Sequence, residues 1–254
     1  MKHKLFKHIV AVAIIIVVAL TSLSPAPAFA GLAEAKAAYD AKDYKTAFKE
    51  YLPLAEAGNA EAQNRLGRMY LYGQGRISNL DKAVYWYTKA ASQGFVYSIA
   101  TLGYLVDTGD GGMFSPSTEK GSCLYRAASI RGNRVAQWNL YHNLSNSIFT
   151  ITEAHEWLKR SFKQGYPPAL ARKGALLIVD PLNFDKTEGL MYLVLAQKYG
   201  DDPEVDEYIE ETVGDSPSRK KQLEKAKILA AKWKSVKEIP PAGLPPFVLE
   251  DCLP

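Results

Sequence analysis

The strongest constraint on this chain is an internal repeat. Residues 59–94 read NAEAQNRLGRMYLYGQGRISNLDKAVYWYTKAASQG, thirty-six residues. Ala62, Leu66, Met69 and Tyr70 recur at helical spacing and share one face of a first helix. Gly73-Gln74-Gly75 stops that helix where a glycine is expected. Asn79 or Asp81 can cap a second helix, which turns Ala83, Trp86, Tyr87, Ala90 and Ala91 inward before Gly94 ends it. Alanine at the crossing points lets paired helices approach, while Trp86, Trp157 and the tyrosines fill the spaces between units. One such pair cannot bury its apolar face alone, so the units must stack.

The flanking stretches carry weaker versions of the pattern. Residues 43–58 supply a second-helix half with Ala47, Tyr51 and Ala55 in register, after a helix around residues 32–41. Residues 95–132 keep Leu102-Gly103, Gly109, Gly111 and Ala127-Ala128. Residues 133–165 keep Ala136-Gln137, Leu140, Ala154 and Trp157, with Asn146-Ser147 in place of the central glycines. Residues 166–200 keep Ala169, Gly174, Tyr192 and Ala196.

The best unit resembles the Sel-one-like repeat, a tetratricopeptide-like family whose pattern runs A-x-x-x-L-G-x-x-Y-x-x-G-x-G and, after a short loop, K-A-x-x-W-Y-x-K-A-A-x-x-G. Ala62, Leu66, Gly67, Tyr70, Gly73, Gly75, Lys82, Ala83, Trp86, Tyr87, Lys89, Ala90, Ala91 and Gly94 match it. The resemblance covers about residues 32–200, and only this unit is close to the pattern. It implies an all-α, right-handed α-solenoid whose first helices line a concave face. Exported members are associated with envelope assembly, signalling regulation and host contact. Some cysteine-rich relatives carry a hydrolase, penicillin-binding or β-lactamase-like activity, but with a Cys pair in nearly every repeat; this chain has two cysteines in all.

The first thirty residues read as a signal peptide rather than as part of the fold. Lys2, His3, Lys4 and Lys7 make a basic start, residues 9–20 are twelve unbroken apolar residues, and Ala28-Phe29-Ala30 offers small residues for cleavage. The alternative is an uncleaved anchor, but a bilayer asks for about 20 predominantly apolar residues, and Thr21, Ser22 and Ser24 end the run early. Cleavage would leave Gly31 first, a periplasmic or secreted protein, and no stable membrane span. With the three leader lysines gone, 28 of the 31 Lys and Arg remain against 27 Asp and Glu. A near-neutral chain gives no reason to invoke nucleic acid.

Beyond residue 200 the composition changes. Residues 201–215 hold eight acids and no base; residues 216–238 hold eight bases and two acids. The expected arrangement is an antiparallel pair of capping helices over residues 201–238, with Lys225 and Lys227 facing the acidic one. Leu223, Ala226, Ile228, Leu229, Ala230 and Trp233 would pack on the last repeat. The alternative makes the basic stretch a site for an anionic surface. Residues 239–254 hold five prolines and read as an extended tail.

In an oxidising compartment Cys123 and Cys252 can form one disulfide. Cys123 sits at or beside the position that Trp86 and Trp157 hold in their units. A bond to Cys252 would fold the tail back along the repeats, with Phe247, Val248 and Leu249 covering the gap left by the missing Trp. Two free thiols or an intermolecular bridge are the other arrangements.

Little points to chemistry. No nucleophile elbow, metalloprotease helix, phosphate loop or C-x-x-C occurs, and no cofactor is implied. Gly109-Asp110-Gly111-Gly112 occupies the turn where the repeat expects glycines. Glu153 and Glu156 beside His155 have acid–base composition but read as a solvated helix face. The candidate site comes from repeat register. Arg65 and Arg68 lie off the buried stripe of their first helix, and the equivalent strip holds Tyr104, then Trp138 and His142, then Arg172. Arginine and aromatic residues are over-represented at binding hot spots, so a non-catalytic surface for a protein or peptide partner is expected.

Overall fold

The computed structural model describes residues 30–183, 185–241 and 243–253, so the signal-peptide reading falls on residues outside the description apart from residue 30. Twelve α-helices and no strand form among the described residues. The chain divides into two compact units, one ending at Trp86 and one beginning at Tyr87.

Unit 1 contains α1 (Ala30–Asp40), α2 (Tyr44–Glu56), α3 (Ala60–Tyr72) and the start of α4 (Leu80–Ser92). Helix α3 starts where the Ala62 N–H donates to Asn59 Oδ1 at 2.9 Å, and Asn79 accepts from Lys82 N–H at 2.8 Å to cap α4. Ala62, Leu66, Met69 and Tyr70 are all buried, as the periodicity requires. Gly75 has φ +73°, and a Cβ there would lie 2.4 Å from the Tyr44 carbonyl oxygen, so the glycine is needed for both conformation and space.

Unit 2 contains the rest of α4, then α5 (Val96–Thr108), α6 (Thr118–Ser129), α7 (Arg134–Leu144), α8 (Ile151–Lys163), α9 (Pro167–Val179) and α10 (Thr187–Tyr199). Helices α5 and α6, α7 and α8, and α9 and α10 pack as pairs. Between pairs the chain repeats one turn. Gly94, Gly132 and Gly165 have φ of +79°, +86° and +75°, and the N–H of the following residue donates to the carbonyl five residues back: Phe95 to Ala90, Asn133 to Ala128, Tyr166 to Ser161. This is the hydrogen bond that closes a helix on a left-handed glycine, and Asn59 makes it to Leu54 after Gly58 in unit 1. Gly109, with φ +67°, likewise caps α5, and residues 110–112 are a short 3-10 turn. Helices α9 and α10 cross at Gly174 and Gly189, where a Cβ on Gly174 would stand 2.9 Å from the Gly189 carbonyl oxygen. The chain is an all-α helical repeat solenoid.

Two further helices follow, α11 (Pro203–Val213) and α12 (Pro217–Lys232). They differ in detail from the expected acid–base hairpin. Helix α12 packs chiefly on α10 and only lightly on α11, inserting Ala226 and Ala230. Ile228 and Leu229 were expected to pack but are 58% and 45% exposed, because two small residues four apart bring α12 close on a narrow stripe and leave its flanks in water. Lys227 pairs with Glu224 of its own helix and Lys220 with Asp215, while Arg219 donates to the Thr212 carbonyl at the end of α11.

Candidate functional site

Three of the residues picked out by register meet in unit 2. Trp138 on α7 is half-buried, with ring centroids 5.5 Å from Tyr141, 6.1 Å from His142 and 6.4 Å from Tyr166. Arg172 crosses from α9 and its Nε–H donates to the Tyr141 hydroxyl at 2.8 Å. Tyr141 also stacks on His155 of α8 at 6.3 Å, and Arg134 lies over the Tyr166 ring at 5.9 Å. His142 and Arg172 are exposed, so an aromatic floor carries an imidazole and a guanidinium that reach water. Tyr104 is exposed on α5 and joins none of these ring contacts among the described residues.

Register had overlooked Tyr141, although its signal was legible. The glycine five positions after the first buried small residue recurs as Gly67, Gly103 and Gly174, and in α7 that position is Tyr141. A residue type that packing elsewhere keeps minimal is here a large ring with a polar end. Its neighbours Tyr166 and Arg134 come from a turn and a helix start, which first-helix periodicity does not address.

In unit 1, Arg65 and Arg68 behave differently. Arg65 lies over the Tyr39 ring at 5.2 Å and 4.0 Å from Glu61, with only 24% of its side chain exposed. Arg68 is exposed and lies 5.8 Å from the Tyr72 ring centre. Tyr51 is fully buried below, and burial pushes its phenol up to about 12.

The acid–base composition around His155 is spent on structure. Glu153 pairs with Arg126 and accepts from Trp157 Nε1 at 3.0 Å; hydrogen bonding from Arg126 foremost holds its carboxyl below the ordinary carboxylate value. Glu156 pairs with Lys159 at 3.5 Å. An open depression lies there, lined by Phe149, Glu153, Glu156, Trp157 and Arg160. Among the described residues no group of three or more His, Cys, Asp and Glu is placed to hold a metal.

The tail folds back along unit 2. Cys123 and Cys252 form a disulfide with Cα atoms 5.5 Å apart. Buried positions align Leu124, rather than Cys123, with Trp86 and Trp157. Phe247 lies under Arg131 at 5.7 Å, while Val248, expected to cover the gap, is 46% exposed. Unforeseen was Glu238: its carboxylate accepts from Gln137 Nε2 and from Gln164 Nε2 at 3.1 Å, and pairs with Arg160 at 3.2 Å. No periodicity marks Glu238, which the expected capping pair took in as its last residue, whereas α12 ends at Lys232.

Comparison with known proteins agrees with this geometry. The Sel1 repeat family model matches residues 60–95 and 151–166. The chain is 32% identical over 133 residues to chitin synthase regulatory factor 3 of Schizosaccharomyces pombe, which is 49% of this chain and only 14% of that protein's length. A Sel1 repeat protein from Oxalobacter formigenes superposes with a TM-score of 0.61 at 22% identity, over 75% of this chain and 80% of that one. The immunity protein PA5088 from Pseudomonas aeruginosa does so with a TM-score of 0.54 at 16% identity, over 82% of each. The repeat turn, the buried register and these matches agree that the chain carries Sel1 repeats, matched at residues 60–95 and 151–166, on the fold of solved Sel1 repeat proteins.

Proposed function

We propose that the protein is a non-catalytic adaptor or regulator of the cell envelope that binds a protein or peptide through the first helices of its repeats. Sel1 repeats generally mediate protein interactions. The observation that carries the reading is the Trp138–Tyr141–Arg172 cluster with His142 beside it; Tyr104 on the first helix α5, and Arg65 and Arg68 in unit 1, are the remaining exposed or part-exposed candidates. Rings fixed by packing cost little conformational entropy on binding, and arginine adds directed donors. The names of two similar proteins, an immunity protein and a regulatory factor, fit a role exercised through a partner.

Export is part of the proposal. The leader-like residues 1–30, the disulfide and the lack, among the described residues, of any helix long and apolar enough to cross a membrane support a periplasmic or secreted protein with Gly31 as its first residue.

The test is capture from envelope extract by the purified chain and its variants, read by mass spectrometry. Trp138→Ala, Arg172→Glu, or Arg65→Glu with Arg68→Glu are expected to lose the partner while keeping helical circular dichroism. A Trp138→Ala loss of stability on the scale of a core truncation, roughly 3–5 kcal/mol, would reassign Trp138 to packing and end the reading at that residue.

A further inference from the structure

The polar contacts of the tail have the form of a ligand site. After α12 the described residues form no helix apart from a 3-10 turn at Leu249–Asp251. Val236 N–H donates to the Lys163 carbonyl at 2.8 Å. Trp233 and Ser235 pass over Gly165, and Glu238 passes over Gly132, at 3.3–3.7 Å from where a Cβ would be. Both glycines belong to the repeated turn, whose missing side chains open a shallow track for another backbone. At its centre Gln137 is fully buried; its amide donates to the Ser129 carbonyl at 3.1 Å and to Glu238, and its oxygen accepts from Gln164 at 2.8 Å. Two amide donors and the Arg160 guanidinium thus converge on one carboxylate. Further on, Arg131 donates to the Pro245 carbonyl at 2.8 Å.

The tail holds this track weakly between its anchors. Ile239 is 84% exposed, and Pro240, Pro241, Pro245 and Pro246 are exposed. Little apolar area holds the strand down, and its far end is fixed by a covalent bond, which keeps the docked peptide at high effective concentration. We infer that this edge of unit 2 is a binding site for an extended, proline-rich peptide bearing a glutamate, occupied in cis by the chain's own tail and released for a partner peptide when a dithiol reductant opens Cys123–Cys252.

The exchange is balanced. A thiolate of the dithiol attacks Cys123 Sγ, the partly exposed end of the bond, while Cys252 is 5% exposed. The sulfur–sulfur bond breaks and Cys252 leaves as a thiolate that takes up a proton. The reductant's second thiol then resolves the mixed disulfide, leaving Cys123 as a thiol and the reductant as a disulfide.

The test uses the full chain and a fluorescein-labelled synthetic peptide of residues 234–249, followed by anisotropy. Oxidised wild type should not bind it. Cys252→Ser should bind it weakly, and Cys252→Ser with Glu238→Ala, whose cis strand lacks its carboxylate, most tightly. A peptide with alanine for glutamate should bind about tenfold or more weakly, the scale of losing hydrogen bonds to a charged group. Equal binding to the oxidised chain, no binding to a double variant whose circular dichroism shows it folded, or indifference to the glutamate would overturn the inference. So would a Cys252→Ser chain that dimerises on size exclusion, since a second copy's tail would then be the occupant. The track adjoins the Trp138 cluster, where Arg134 donates to the Gln164 carbonyl at 3.2 Å, but among the described residues it takes no ring contact from Trp138. Trp138→Ala should therefore leave peptide binding intact, and either proposal can fail alone.

Discussion

Gln63 and Gln137 occupy the same repeat position, four residues after the capping Asn59 and Asn133, and each donates to the carbonyl at the end of the preceding helix, Ala55 at 3.0 Å and Ser129 at 3.1 Å. The Gly58 and Gly132 N–H groups donate to the same two carbonyls, and each buried glutamine amide would be costly without this partner, so the side chain is a fixed part of the turn. Tyr141 shows another use of register, a position that glycine holds in other units and that here buries a ring with a polar end. Glu153 lies between these cases, because Arg126 above all holds its carboxyl in the charged form, with Trp157 assisting. A pKa lowered by folding stabilises the fold above the ordinary value of 4.5, and that stabilisation is lost as pH falls through the lower folded value. Glu153→Gln should therefore melt below wild type at pH 7, and the gap should close in scans carried down to about pH 2. A gap that persists in acid would mean the carboxyl's charge is not what stabilises.

At the scale of elements, the repeat turn explains why degenerate units still fold alike. Gly58, Gly94, Gly132 and Gly165 each reverse the chain with one hydrogen-bond pattern, so the helices between them can vary in sequence. The last helix obeys packing more than charge. Helix α12 meets α10 through Ala226 and Ala230, while Lys227 pairs within its own helix and Lys220 with Asp215 in the turn before it. Ala226→Leu should destabilise by about 1–3 kcal/mol, the cost of overpacking a tight contact. Ile228→Lys should stay within about 0.5 kcal/mol of wild type, as surface changes do. Urea melts of the two variants decide it, and a large loss with Ile228→Lys would place that face in an interface.

For the molecule as a whole, the disulfide is the longest-range link. It joins residues 129 apart and ties the tail to α6. In the chain-entropy account, closing such a loop stabilises by up to about 5 kcal/mol, which strain can reduce. Cys252→Ser should lower the melting temperature accordingly. Alkylation of the denatured, unreduced chain should add no groups to the monomer mass, and two only after reduction. Two groups without reductant would remove the bond from the fold.

Helix positions and the repeat turn were legible in the sequence because both are local. A glycine in the left-handed region, an asparagine cap and apolar residues three and four apart act within one turn of chain, whatever surrounds them. The Cys123–Cys252 pairing was legible for a different reason, since two cysteines admit one intramolecular bond. The face of α12 that packs, the meeting of Arg172 with Tyr141 and the seat of Glu238 were settled only in three dimensions. Each joins side chains far apart in sequence, and their energies depend on distances that packing sets. Ile228 and Ala226 look equally suited to a core in a sequence window, and only the neighbouring helix decided between them. Glu238 has no local signal at all: its site exists only when Gln137, Gln164 and Arg160 are brought together by stacked repeats.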